Sequence, residues 1–368
     1  MTYLDNGATS FHKPQTVYRA MRCALDNCAN PGRGGYPAAM TAAKTVLKCR
    51  EQAGELFSCQ PEQVVMTSNC THGLNIAINT LVKPGNRVVV SGFEHNAVTR
   101  PLYARRAKIT VAGRKLFDWD DTLESFESAL RKGADATVFT HVSNVFGYIL
   151  PVEEMASLCR QYGVPFIVDA AQSAGMLPVN MEKWSADFIA MPGHKGLLGP
   201  QGTGLLLCGR EPASLLQGGT GSLSAEQTMP DFLPDGLEAG TLNVPGIAGL
   251  SAGIAYVRQQ GIDRIFAAQQ QEARRCGNGL RKLGFRVFTG EHQGGTVSFV
   301  PDTDCEVFAD TLGKQGIAVR AGLHCAPFAH ESAGTLDTGT VRVSFGHDAA
   351  PWQTGNLLLA VEKMVAET

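Results

Sequence analysis

Apolar positions along the chain follow two alternating rhythms. Short continuous apolar runs, among them "EQVVMTS", "NRVVVSG", "ATVFTHVSN", "VPFIVDAAQ", "ADFIAMPGHK" and "GTGLLLCG", read as buried strands. Between them, "THGLNIAINTLVKPG" and "VEEMASLCRQYG" carry helical spacing and stop at Pro84-Gly85 and at Gly163. Short strands alternating with helices predict an α/β doubly wound domain: a mainly parallel sheet with helices on both faces. The site of such a domain lies at the carboxyl ends of its strands.

After about Pro245 the rhythm changes. A small-residue helix, "GIAGLSAGIAYVRQQG", precedes a charged one near "IFAAQQQEARRCGNGLRKLG". Short strands "FRVFTG" and "GTVSFV", the helix "EVFADTLGKQG", strand-like "IAVR" and "TVRVSFG", and a final helix follow. Strands and helices mixed in that order predict a smaller α+β unit packed on the first. The expected organisation is an N-terminal arm over 1–15, a large domain over 16–245 and a small domain over 246–368. The Gly-rich "LLQGGTGSLSAEQT" suits either a site or interface loop or a flexible surface loop.

Composition narrows the possible partners. With 44% hydrophobic and 18% charged residues in 368, the chain can bury a large core, and two domains fit that length. Its 32 basic and 34 acidic residues form no long run of one sign, so nothing marks a nucleic-acid or anionic-membrane footprint. No apolar run approaches the roughly 18 to 20 residues of a membrane helix, and the first residues lack the charge and apolar pattern of a leader. A cytoplasmic enzyme of small molecules is expected. The ten cysteines are scattered without a CxxC pair and are expected to be reduced, most of them as small buried hydrophobes.

Three predicted strand ends carry the chemistry. "THVSN" ends at Asn144, "FIVDAAQ" reaches Asp169 with Gln172 shortly after, and "AMPGHKG" sets His194 and Lys195 past its strand. An apolar strand ending in an acid, then one ending in His-Lys, is what a pyridoxal 5'-phosphate (PLP) enzyme needs. The lysine forms the Schiff base, and an ionised aspartate keeps the ring nitrogen protonated. "SNCTHGLN" can present helix N-terminal N–H groups and the Thr71 hydroxyl to a phosphate, although such residues are also plain N-caps.

Taken in order, "YLDNGATS", "TSNCTHGLN", "EHNAV", "HVSNVFG", "VDAAQSAG", "GHKGLLGPQGTG", "EAGTLNVPGI", "RAGLHCAPFAH" and "TVRVSFG" resemble the fold type I, class V aminotransferase family, within it the cysteine desulfurases and selenocysteine lyases. The resemblance covers nearly the whole chain. It implies a seven-stranded, mainly parallel large domain and a homodimer with shared PLP sites. By resemblance, His95 stacks on the ring and assists proton transfer, Gln172 bonds the ring oxygen, and Cys70, Thr71 and His194 lie at the ring and phosphate. Thr241 then reaches the phosphate of the neighbouring subunit. Ala8, Asn144, Arg320 and Arg342 line the substrate site, with Arg342 taking the amino-acid carboxylate in a two-pronged grip. The chain departs from the family at His72, where an acidic residue is common.

Cys325 has three readings: inert buried thiol, metal ligand with His324 and His330, or nucleophile. No CxxC or HExxH partner supports a metal, and none is expected. The resemblance implies a thiolate that takes sulfur from L-cysteine as a persulfide, leaving L-alanine. The short cysteine loop further implies a separate sulfur-acceptor protein. Selenocysteine lyase or cysteine S-conjugate β-lyase chemistry would use Lys195, Asp169 and Arg342 without the thiol. A cofactor-free interaction protein is the remote alternative.

Overall fold

The structure is a computed structural model and describes residues 1–32 and 34–366. Residues 367 and 368, the end of the expected small domain, lie outside the described residues. Strand β1 (Thr2–Tyr3) opens the chain. Strands β2 (Val64–Thr67), β3 (Arg87–Ser91), β4 (Lys108–Ala112), β5 (Ala136–Thr140), β6 (Phe166–Asp169), β7 (Phe188–Pro192) and β8 (Gly204–Cys208) follow. They form one seven-stranded sheet in the order β2-β8-β7-β6-β5-β3-β4.

Only β8 runs against its neighbours, antiparallel to both β2 and β7. The pairs β3–β4, β3–β5, β5–β6 and β6–β7 are parallel. Central strands β5, β6 and β7 are buried at every position, as expected of a parallel sheet covered on both faces. Their carboxyl ends release three chain segments side by side, and the site gathers there. β4, "KITVA", is absent from the sequence reading because Lys108 and Thr110 are exposed, breaking the apolar run of an edge strand.

Beyond the sheet lie β9 (Arg286–Phe288), β10 (Thr296–Val300), β11 (Ile317–Ala318), β12 (Arg320–Gly322) and β13 (Thr340–Ser344). Four of them make an antiparallel sheet in the order β12-β13-β10-β9. The run read as one strand, "IAVR", is split: β11 pairs in parallel with β1, and β12 starts at Arg320. The first residues are therefore built into the small unit. Leu4 shares an apolar core with Phe299, Phe308, Val341 and Leu357, and Asp5 bridges to Ser344. The helix Val244–Gln260, in contrast, places Ile247, Leu250 and Ile254 in the core under the large sheet. The first residues thus pack with the small unit and the helix Val244–Gln260 with the large sheet.

Candidate active site

The floor of the site is made by the ends of β6 and β7 and the start of the helix Cys70–Leu81. Asn69 caps that helix by accepting the His72 N–H at 2.9 Å. Cys70, one residue on, is buried and its Sγ lies 3.4 Å from Asp169 Oδ1 as donor. The Ala171 N–H donates to the same oxygen at 2.9 Å. Asp169 is 2% exposed, and no ion pair to it is found among the described residues. Burial pushes its carboxyl pKa up, opposed by the Ala171 N–H, Lys195 and Cys70.

Lys195 stands in the turn after β7, half-buried. Desolvation moves its ammonium below the ordinary lysine value; Asp169 opposes that shift and Arg342 adds to it. The peptide before Lys195 is held unusually well. The carbonyl of His194 accepts from the N–H of Ser10 (3.1 Å), and from Thr9 Oγ1 (3.2 Å), Ser10 Oγ (3.0 Å) and Lys13 Nζ (2.9 Å). Burial brings Lys13 down to about 8. His194 Nδ1 lies 3.0 Å from Thr9 Oγ1, and burial lowers its ring to about 4.

His95 caps the helix Asn96–Ala104, its Nδ1 accepting the Ala97 N–H at 2.9 Å. The neutral ring therefore carries its hydrogen on Nε2. Burial first, then the positive charges of Lys195 and Arg342, lower its pKa to about 4. The preceding Glu94 is fully buried and ties two strand ends together, accepting from Ser91 and from the Thr140 N–H at 2.9 Å. Burial raises Glu94 to about 8.

The small unit supplies the roof. Cys325 is exposed, whereas His324 is 6% exposed. Both take left-handed backbone conformations, φ 50° and 56°, which cost energy for residues with a Cβ. Two contacts from the large domain hold them: the Asn96 N–H donates to Cys325 O at 2.7 Å, and Asn144 Nδ2 to His324 O at 2.8 Å. The rings of His324 and His330 stack at 5.8 Å, and His330 Nδ1 contacts Thr335 Oγ1 at 2.8 Å. His324 Nε2 lies 3.2 Å from Arg320 O. Among the described residues, no three His, Cys, Asp or Glu side chains are grouped as a metal would require.

Arg342, on β13, is 2% exposed. Its Nη1 donates to Asn144 O at 3.0 Å and its Nη2 to Asp5 Oδ1 at 2.6 Å, while Nε has no partner. Asn144 Oδ1 is likewise buried and unpartnered. Burial lowers the guanidinium pKa, and Asp5 opposes that effect. Arg320 lies opposite Arg342 in the β12–β13 register and is exposed.

Other residues anticipated at the site stand apart or are occupied. Thr71 is exposed in the first helical turn, and Ala8 is partly exposed near Gly7. Gln172 donates its amide to Gly7 O at 2.9 Å, so in this structure it holds the N-terminal arm. Thr241 is exposed after Gly240 and makes no hydrogen bond to the other site residues among the described contacts. Sequence reasoning missed Asp5, Lys13 and Glu94. Asp5 and Glu94 lie in the motifs "YLDNGATS" and "EHNAV" and Lys13 just beyond the first, but nothing in residue type signals which members turn inward.

These residues fit PLP. A buried acid without a counter-cation beside a lysine whose ammonium is disfavoured suits a ring that brings a pyridinium and an aldehyde. Helix N-terminal groups and the exposed Thr71 hydroxyl suit its phosphate.

A lysine and an acid meeting in this way at the carboxyl edge of a mainly parallel sheet, under a smaller antiparallel one, mark the fold type I class of PLP-dependent enzymes. Within that class, the chain belongs to the aminotransferase class-V family, whose model matches residues 2–351. It is 33% identical over 364 residues to a Pyrococcus abyssi protein named "Probable cysteine desulfurase", covering 93% of this chain and 89% of that one. A Haloferax volcanii protein named "Cysteine desulfurase" is 30% identical over 366 residues, covering 94% and 85%. Among solved structures, the apo cysteine desulfurase from Thermococcus onnurineus NA1 superposes with a TM-score of 0.89 at 31% identity, covering 100% of this chain and 95% of the other.

Proposed function

We propose that the protein is a PLP-dependent cysteine desulfurase that converts L-cysteine to L-alanine and receives the sulfur on Cys325 as a persulfide. The observation that carries the reading is the Cys325 loop: an exposed thiol held over the site by Asn96 and Asn144. Relatives at about one-third identity bearing the cysteine desulfurase name support it.

PLP, when bound, supplies an electron sink for the carbon that bears the substrate amine. Lys195 and Asp169 would hold it, with Cys70, Thr71, His95, Asn144, Gln172 and His194 around it and Thr241 reaching it from a second subunit of a homodimer. Lys195, with its ammonium disfavoured by burial, takes and returns a proton at the substrate Cα. His95, neutral near pH 7, offers its Nε2 hydrogen. Arg342 holds the carboxylate, with Ala8 and Arg320 at the rim.

The sulfur step balances without an outside oxidant. The Cys325 thiolate attacks the substrate sulfur, an S–S bond forms as Cβ–S breaks, and Cβ leaves with the electron pair and gains a proton. L-cysteine and one thiol become L-alanine and one persulfide. A thiol reductant, or in the cell a cytoplasmic sulfur-acceptor protein, then clears Cys325.

Product analysis from L-cysteine, L-selenocysteine and an S-conjugate tests the reading. Alanine with a persulfide is expected from L-cysteine; pyruvate with ammonia would replace the proposal by β-elimination.

A further inference from the structure

Arg342 is already oriented by the protein. Nη1 gives one hydrogen to Asn144 O and Nη2 one to Asp5 Oδ1, while Nε has no partner although the residue is 2% exposed. Each terminal nitrogen thus has one of its two hydrogens taken by a protein oxygen, whereas the single Nε hydrogen is buried and untaken.

Asp5 reaches this position by backbone pairing. β1 pairs with β11, Asp5 bridges to Ser344, and the Gly7 N–H donates to Ser344 Oγ at 2.8 Å. Gly7 packs so closely that an added Cβ would stand 3.1 Å from Arg342 Cζ. The guanidinium is thereby confined between the arm and the Asn144 loop. A buried guanidinium without a counter-charge is costly, so Asp5 both compensates the charge and selects its orientation.

We infer that Asp5 is the positioning residue of the substrate-carboxylate site: it fixes Arg342 so that the Nε side of the guanidinium receives the carboxylate of an α-amino acid. Asn144 completes the geometry, because its backbone oxygen holds Nη1 while its own Oδ1 stays buried and unpartnered. The inference rests on Lys195 holding PLP and on an amino-acid substrate, but not on the fate of sulfur.

The test uses PLP-loaded protein titrated with L-alanine and, separately, with ethylamine, the same amine with hydrogen in place of the carboxylate. The visible absorbance of the lysine-bound cofactor reports each titration. For Asp5→Asn, half-saturating L-alanine is expected to rise about tenfold or more, the scale of one charge-assisted hydrogen bond, with ethylamine unchanged within about twofold. Asp5→Glu keeps the charge but displaces the guanidinium by a methylene. It folds if charge compensation is all the fold needs, and it is expected to show the same selective defect. L-alanine affinity unchanged or improved in Asp5→Glu would overturn the inference, as would equal shifts for both ligands. A wild-type protein that takes up PLP but whose spectrum ignores L-alanine would overturn the amino-acid reading along with it, which separates the two failures.

Discussion

The backbone N–H of Asn96 donates to the carbonyl of Cys325 at 2.7 Å, joining the residue after His95 directly to the residue that carries the exposed thiol. The proton-bearing imidazole and the thiol therefore belong to one hydrogen-bonded unit, although they lie in loops that follow strands of different sheets and far apart in the chain. The second tie, Asn144 Nδ2 to His324 O, can be removed by mutation. Asn144→Ala is expected to free the left-handed pair His324-Cys325, so that iodoacetamide modifies Cys325 severalfold faster while alanine formation falls about tenfold, as one lost buried hydrogen bond implies. Peptide mass spectrometry and a product assay read the two effects.

Asp169 ends β6, buried, with Cys70 and the Ala171 N–H as its donors. Asp169→Asn keeps the shape and removes the charge. Turnover is expected to fall at least about a hundredfold, on the scale of losing a buried charge-assisted bond, with the cofactor's visible spectrum altered. Stopped assays and absorbance spectra check both.

Cys70 donates to the carboxylate that would face the cofactor ring. That bond favours the charged form of Asp169, so its removal raises the Asp169 pKa further. Cys70→Ala is expected to release PLP severalfold faster on dilution, and Cys70→Ser, which restores a hydroxyl donor, to recover most of the difference. Equal rates in the two variants would show that the thiol serves only to fill space.

Acid should destabilise the fold through its buried histidines, against the opposing effect of Glu94, whose carboxyl is raised by burial. His95, His141, His194 and His330 are all lowered to about 4 from 6.5, chiefly by burial. Between those values the unfolded chain binds more protons than the folded one, so stability falls as pH drops from 6.5 through 4 and is level above 6.5 as far as these groups are concerned. Thermal unfolding of the apo protein is expected to shift down by several degrees from pH 7 to pH 5. His141→Gln, which removes one such buried ring, should reduce the slope.

Much of this site is legible in the chain because its parts are local. Asp169 and Lys195 each end an apolar run, and an apolar run that stops at an ionisable residue marks the edge of a buried sheet. Arg342 and Cys325 gained meaning only from the ordered motifs around them, since a lone arginine in a strand or a lone thiol has a bland reading. What stayed hidden depends on pairing across the whole chain. Asp5 and Arg342 are brought together by the pairing of β1 with β11 and of Asp5 with Ser344, for which neither segment has a local signal. The hydrogen bond from Gln172 to Gly7 O involves the same arm and has no local signal either. The split of "IAVR" at Val319 has the same origin: one strand pairs with the N-terminus and the next with β13.

The most direct measurement of the sulfur-transfer proposal is the sulfur content of the Cys325 peptide after PLP-loaded protein meets L-cysteine without reductant. Wild-type protein is expected to gain one sulfur atom at Cys325 and to form one alanine per site. Cys325→Ala should bind PLP normally, gain no sulfur and form almost no alanine. Alanine at the wild-type rate from Cys325→Ala, or the extra sulfur on another cysteine, would contradict it.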